Sequence, residues 1–87
     1  METKAKFNSL FGSFVKSKRL SHGLSQPELA DMVGNNFQNI SRLERGLISP
    51  TLFWVSLLSE SFNMSLSEFI VEFEDFKNSK VKGRLNR

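Results

Sequence analysis

The 87-residue sequence contains no cysteine and no tyrosine, and only one histidine and two prolines. Without cysteine, neither disulfides nor thiolate metal sites can staple the fold, which suits a reducing cytoplasm, the expected location. His22 cannot assemble a histidine-based metal site alone, and beside the helix-ending Gly23 it reads as a surface residue. Nothing resembles a signal peptide, because Lys16, Lys18 and Arg19 interrupt the early apolar residues. No apolar run approaches the roughly 20 residues needed to cross a bilayer, so no membrane partner is expected. Strand-like alternation and internal repeats are both missing. Catalytic equipment is thin as well. The serines lack a positioned base, no glycine-rich phosphate loop occurs, and Glu72, Glu74 and Asp75 read as a solvated helix face. Neither an enzyme nor a cofactor, metal or small-molecule ligand is expected.

What is present is a small chain with unevenly placed charge. A domain of this length buries only about 60 % of the surface it exposes when unfolded, so modest stability is expected. The net charge is +3. Lys4, Lys6, Lys16, Lys18, Arg19, Arg42 and Arg45 make the first half basic. Residues 46–76 carry Glu60, Glu68, Glu72, Glu74 and Asp75 and no base, whereas residues 77–87 carry bases and no acid. Such clustering suits a polyanionic partner such as nucleic acid, although the tail also reads as a solvated terminus.

Helical periodicity organises the rest. Residues 1–8 read as a flexible N-terminus, 9–77 as the folded domain and 78–87 as a basic tail. A first helix is expected from about Ser9 to Ser21, with Phe7, Leu10, Phe11, Phe14 and Val15 on one stripe and Gly23 closing it. A second, from about Gln26 to Val33, starts with the capping box Ser25–Glu28 and has Leu29, Met32 and Val33 inward. Gly34 permits a turn. Asn36 caps a third helix, Phe37 to Arg45, with Ile40 and Leu43 inward. A fourth runs from Pro50–Thr51 to about Phe62 on Leu52, Val55, Leu58 and Phe62. A fifth runs from the Ser65–Glu68 box to about Lys77 on Leu66, Phe69, Ile70, Phe73 and Phe76. Five helices with short connections make an all-α domain.

The stretch Ser25–Gly46, two short helices around a glycine-led turn, has the signature of a helix-turn-helix. Gln38, Asn39 and Arg42 lie on the outward side of its second helix, with Gln38 and Arg42 one turn apart. Asparagine and glutamine amides match the N6 and N7 edge of adenine, and arginine the O6 and N7 of guanine. Phe37 could touch a thymine methyl, or pack against Asn36 or a protein neighbour. On spacing alone, the same face also reads as ordinary polar surface.

The segments VKSKRLSHGLSQPELADMVG, ISRLERG, SPTL and MSLSEFI, covering Val15 to Ile70, resemble the phage-repressor and xenobiotic-response-element helix-turn-helix proteins. That group includes lambda-like repressors, Cro proteins and restriction-modification controller proteins. The resemblance implies a five-helix lambda-repressor-like domain whose helices 2 and 3 form the helix-turn-helix. It implies that Gln38 and Arg42 face bases, with Asn36, Phe37, Asn39 and Ser41 near them. Gln26 would bind a phosphate at the start of the second helix, with Arg45 and the Gly46–Ser49 amides along the same backbone. Arg19 and Glu44 would form a partly buried structural salt bridge. Asn35 departs from the small apolar residue frequent there, so the turn packs differently or uses a side-chain bond to the backbone. Trp54 and Leu57, together with Phe69 and Phe73 of the Phe-rich fifth helix, form the candidate dimer surface. The function implied is a sequence-specific transcriptional regulator, a nucleoid-bound homodimer on a palindromic operator in double-stranded DNA and too small for a sensing domain. The alternative is an antitoxin-type module that neutralises a toxin, with DNA binding as autoregulation.

Overall fold

The computed structural model describes residues 2–85, and among them five helices and no strand. These are α1 Lys4–Ser21, α2 Gln26–Met32, α3 Phe37–Glu44, α4 Leu52–Ser61 and α5 Leu66–Leu85. Each start has a side chain that satisfies an otherwise free backbone N–H. Thr3 Oγ1 accepts from Lys6 N at 3.1 Å, Asn36 Oδ1 from Asn39 N at 2.9 Å and Thr51 Oγ1 from Trp54 N at 3.1 Å. Ser25–Glu28 and Ser65–Glu68 form complete capping boxes, each glutamate accepting from its serine's backbone N–H at 2.8 Å.

Two boundaries differ from the periodic pattern. Helix α1 begins at Lys4 rather than Ser9, because Thr3 caps it and apolar periodicity cannot register a polar first turn. Helix α5 runs past Lys77 to Leu85, so residues 78–85 of the expected tail continue the helix backbone. Asn86 and Arg87 lie outside the described residues.

The core is built on phenylalanine. Phe11 and Phe14 of α1 meet Phe69 and Phe73 of α5, with centroids 5.1 Å apart for both Phe11–Phe73 and Phe14–Phe69. The Phe11–Phe73 planes stand at 89°, the edge-to-face arrangement that aromatic quadrupoles favour. Val15, Leu29, Ala30, Val33, Ile40, Leu43, Val55, Leu58 and Phe62 complete it. Burying each large apolar side chain contributes about 1.5–3 kcal/mol.

Two residues expected inside are outside. Met32 is 52 % exposed, since the buried arc of α2 centres on Leu29, Ala30 and Val33 and Met32 falls beyond its edge. Leu52 is 70 % exposed. It is the first residue of α4, and side chains lean toward a helix's N-terminus, past the end of the packed layer.

Helix α1 fixes α3 by close approach. A Cβ on Gly12 would collide with the carbonyl oxygens of Leu43 and Glu44, so only glycine lets these backbones meet. Gly46 does the same for the loop after α3. Its φ is +75° and a Cβ there would come within 2.8 Å of Ser9 Cα. Ser49 Oγ donates to the buried Asn8 Oδ1 at 3.0 Å, tying that loop to α1.

Candidate nucleic-acid interface

Helix α3 has one anchored face and one free face. Ile40, Leu43 and Glu44 are buried among α1 and α2. Gln38, Arg42 and Arg45 are exposed, and Asn39 and Ser41 are half-buried beside them. With a spacing of four, Gln38 and Arg42 lie within about 6 Å at Cβ. Phe37 opens the helix 48 % exposed, leaving half its surface for a groove or a partner.

Glu44 anchors the far end. Its Oε2 accepts from Arg19 Nε at 2.7 Å and its Oε1 from Arg19 Nη2 at 3.0 Å, a bidentate pair with little solvent contact. Arg19 Nη1 also donates to the Leu24 carbonyl at 2.8 Å. Gln26 joins the cluster, its Nε2 donating to Glu44 Oε1 at 3.1 Å. One carboxylate therefore ties the last turn of α1, the first residue of α2 and the end of α3. The Gln26 bond escaped the sequence reading, which placed that side chain on phosphate alone. Nε2 keeps a second hydrogen for such a contact.

The turn end of α3 is held by asparagines. Asn35 Oδ1 accepts from Asn36 N at 2.8 Å and from Asn39 Nδ2 at 2.9 Å. Asn39 Oδ1 in turn accepts from Arg42 Nη1 at 2.9 Å. Asn39 and Arg42, three apart, share a face of α3, and Asn35 lies in the turn just ahead of its cap, but sequence alone does not choose among the rotamers that make or break this chain. Asn36 accepts the Asn39 N–H as cap. Arg45 reaches back toward the Ser41 carbonyl over 3.4 Å. Leu47, in the loop beyond, is exposed.

The residues assigned to a dimer surface divide. Phe69 and Phe73 are 0 % and 3 % exposed, packed on Phe11 and Phe14, and so cannot face a second copy. The periodicity of α5 located an apolar face correctly, but that face is the core of the domain itself. Trp54 and Leu57 are half-buried along a cleft with Val33, Asn35, Ile48 and Phe53. Phe53, next to them, is 72 % exposed.

Residues 15–69 match the helix-turn-helix family HTH_3. Over 63 residues, 72 % of this chain, the sequence is 32 % identical to the antitoxin PezA of Streptococcus pneumoniae, and it spans 40 % of that protein's length. Among solved structures, an HTH_3 family transcriptional regulator from Vibrio cholerae is similar at TM-score 0.71 and 28 % identity, over 80 % of this chain and 39 % of that one. The clp gene regulator ClgR from Corynebacterium glutamicum is similar at TM-score 0.74 and 20 % identity, over 92 % and 86 % of the two chains, a likeness of fold. The five-helix, lambda-repressor-like architecture expected from the sequence is thus the one found, with α2 and α3 as its helix-turn-helix.

Proposed function

The chain belongs to the helix-turn-helix family HTH_3, and on that premise we propose that it is a sequence-specific DNA-binding transcriptional regulator acting as a homodimer on a palindromic operator. The observation that carries this reading is the division of α3 into a buried face and a free face of Gln38, Arg42 and Arg45. A helix so held can enter the major groove as a rigid body, and its free side chains have the donor and acceptor pattern of base readers. Arg42 then reads guanine and Gln38 adenine. Arg45 and the second amide hydrogen of Gln26 meet phosphates, and Phe37 touches a thymine methyl. Binding rather than catalysis is the activity, and the nucleoid the place of work. No helix among the described residues is long and apolar enough to cross a membrane.

Dimerisation is assigned to the exposed side of α4, where Phe53 stands beside Trp54 and Leu57. Two copies related by a two-fold axis would set their α3 helices about 34 Å apart, one turn of B-DNA. The likeness to an antitoxin favours a second reading, in which the chain neutralises a toxin and binds DNA for autoregulation. Both readings bind DNA, so co-expression with a toxin separates the two. A stable complex that abolishes toxicity would establish the second reading. Enrichment of a palindrome from a random DNA pool, with no such complex, supports the regulator, and no enrichment would count against both.

A further inference from the structure

From the hydrogen-bond chain at the turn end of α3 we infer that Asn39 is a positioning residue for Arg42, with Asn35 as its anchor, rather than a reader of bases. The inference rests on the DNA-binding reading above and names how its specificity is set. Both polar atoms of the Asn39 amide are engaged within the protein. Nδ2 donates to Asn35 Oδ1 at 2.9 Å, and Oδ1 accepts from Arg42 Nη1 at 2.9 Å. Asn39 is half-buried, whereas Arg42 is exposed. A guanidinium has five N–H donors, so one bond to Asn39 leaves four for a guanine edge. A free arginine side chain carries large rotamer entropy, and a donor already held in place loses less on binding.

The anchor is itself fixed. Asn35 N donates to the Ala30 carbonyl at 2.9 Å, and Asn35 Oδ1 holds Asn36 N as well as Asn39. The backbone of the turn thereby sets the amide of Asn39, and that amide sets Arg42. A residue in the turn, one that need touch no base, then influences the choice of base.

The test is site selection from a random DNA pool with the unaltered chain and with Arg42→Ala, Asn39→Ala, Asn35→Ala and Asn35→Asp. Arg42→Ala should abolish preference at one half-site position, roughly tenfold or more. Asn39→Ala and Asn35→Ala should relax that same position by about threefold to tenfold, with the other positions unchanged. Asn35→Asp keeps the acceptor, so it should retain the preference while its added charge weakens binding to every sequence alike. A purely structural role for Asn35 would lower all positions together and would not be rescued selectively by aspartate. If Asn39→Ala instead relaxes a different position, Asn39 reads its own base and the inference is overturned. Full preference in Asn35→Ala would overturn the anchoring. An unaltered chain that enriches nothing would overturn the DNA-binding reading itself, a distinct outcome.

Discussion

Glu44 shows how one side chain can join function to stability. Its carboxylate takes two bonds from Arg19 and one from Gln26, so α3 and the helix that precedes it share an anchor. Buried ion pairs are costly to form, and removing one partner strands the other in a low-dielectric site. Arg19→Ala is expected to destabilise the domain by about 3 kcal/mol in urea denaturation. A loss below about 1 kcal/mol would mean that solvent reaches Glu44 and the pair is ornamental. At this scale the sequence was only partly legible. The Arg19–Glu44 pairing followed from a resemblance. The Gln26 bond and the Asn35–Asn39–Arg42 chain did not, because short polar side chains have several partners within reach and only the folded backbone selects one. Gly12 was silent for a related reason. Its role is a close approach between α1 and α3, which no pattern along one helix reveals.

At the scale of the element, helix starts carry local chemical signatures. Both capping boxes could be read from Ser25–Glu28 and Ser65–Glu68 because the motif is confined to four residues. Helix ends beyond Lys77 could not, since α5 continues without an apolar stripe to mark it. The boxes also make stability depend on pH. Each glutamate carboxylate accepts its serine's backbone N–H, and this bond, with a smaller contribution from the serine side chain beside it, holds the carboxyl below its ordinary value. A carboxyl with a lowered folded pKa stabilises above its unfolded value of about 4.3, and that stabilisation fades as pH falls through the folded pKa. The double variant Glu28→Gln, Glu68→Gln should therefore melt below the unaltered protein near neutrality and converge with it in acid. A gap in melting temperature that persists unchanged at pH 2 would show that the carboxylate charge is not what matters.

For the whole molecule, the distribution of apolar surface decides what assembly is possible. The Phe-rich side of α5 is the interior, sealed against α1, so it offers nothing to a second copy. Among the described residues, the most exposed large apolar side chains are on α4, where Leu52 is 70 % and Phe53 72 % exposed. Phe53→Asp puts a charge on that side without touching the core. It is expected to shift sedimentation toward monomer at unchanged melting temperature. An unaltered dimer would move the interface away from α4. The fold class was legible at this scale because five periodic segments admit few packings. Which apolar face is core and which is surface was not, since both have the same spacing and only packing tells them apart.

The free face of α3 is the feature on which the proposed recognition of DNA rests. Its most direct test is the affinity for the enriched operator and a shuffled duplex, titrated between about 50 and 200 mM salt. With several phosphates neutralised, affinity for both duplexes should fall steeply, by about a thousandfold for six or more contacts, while the operator stays tighter throughout. A flat salt response with equal affinity for the two duplexes would contradict α3 as a reader of DNA.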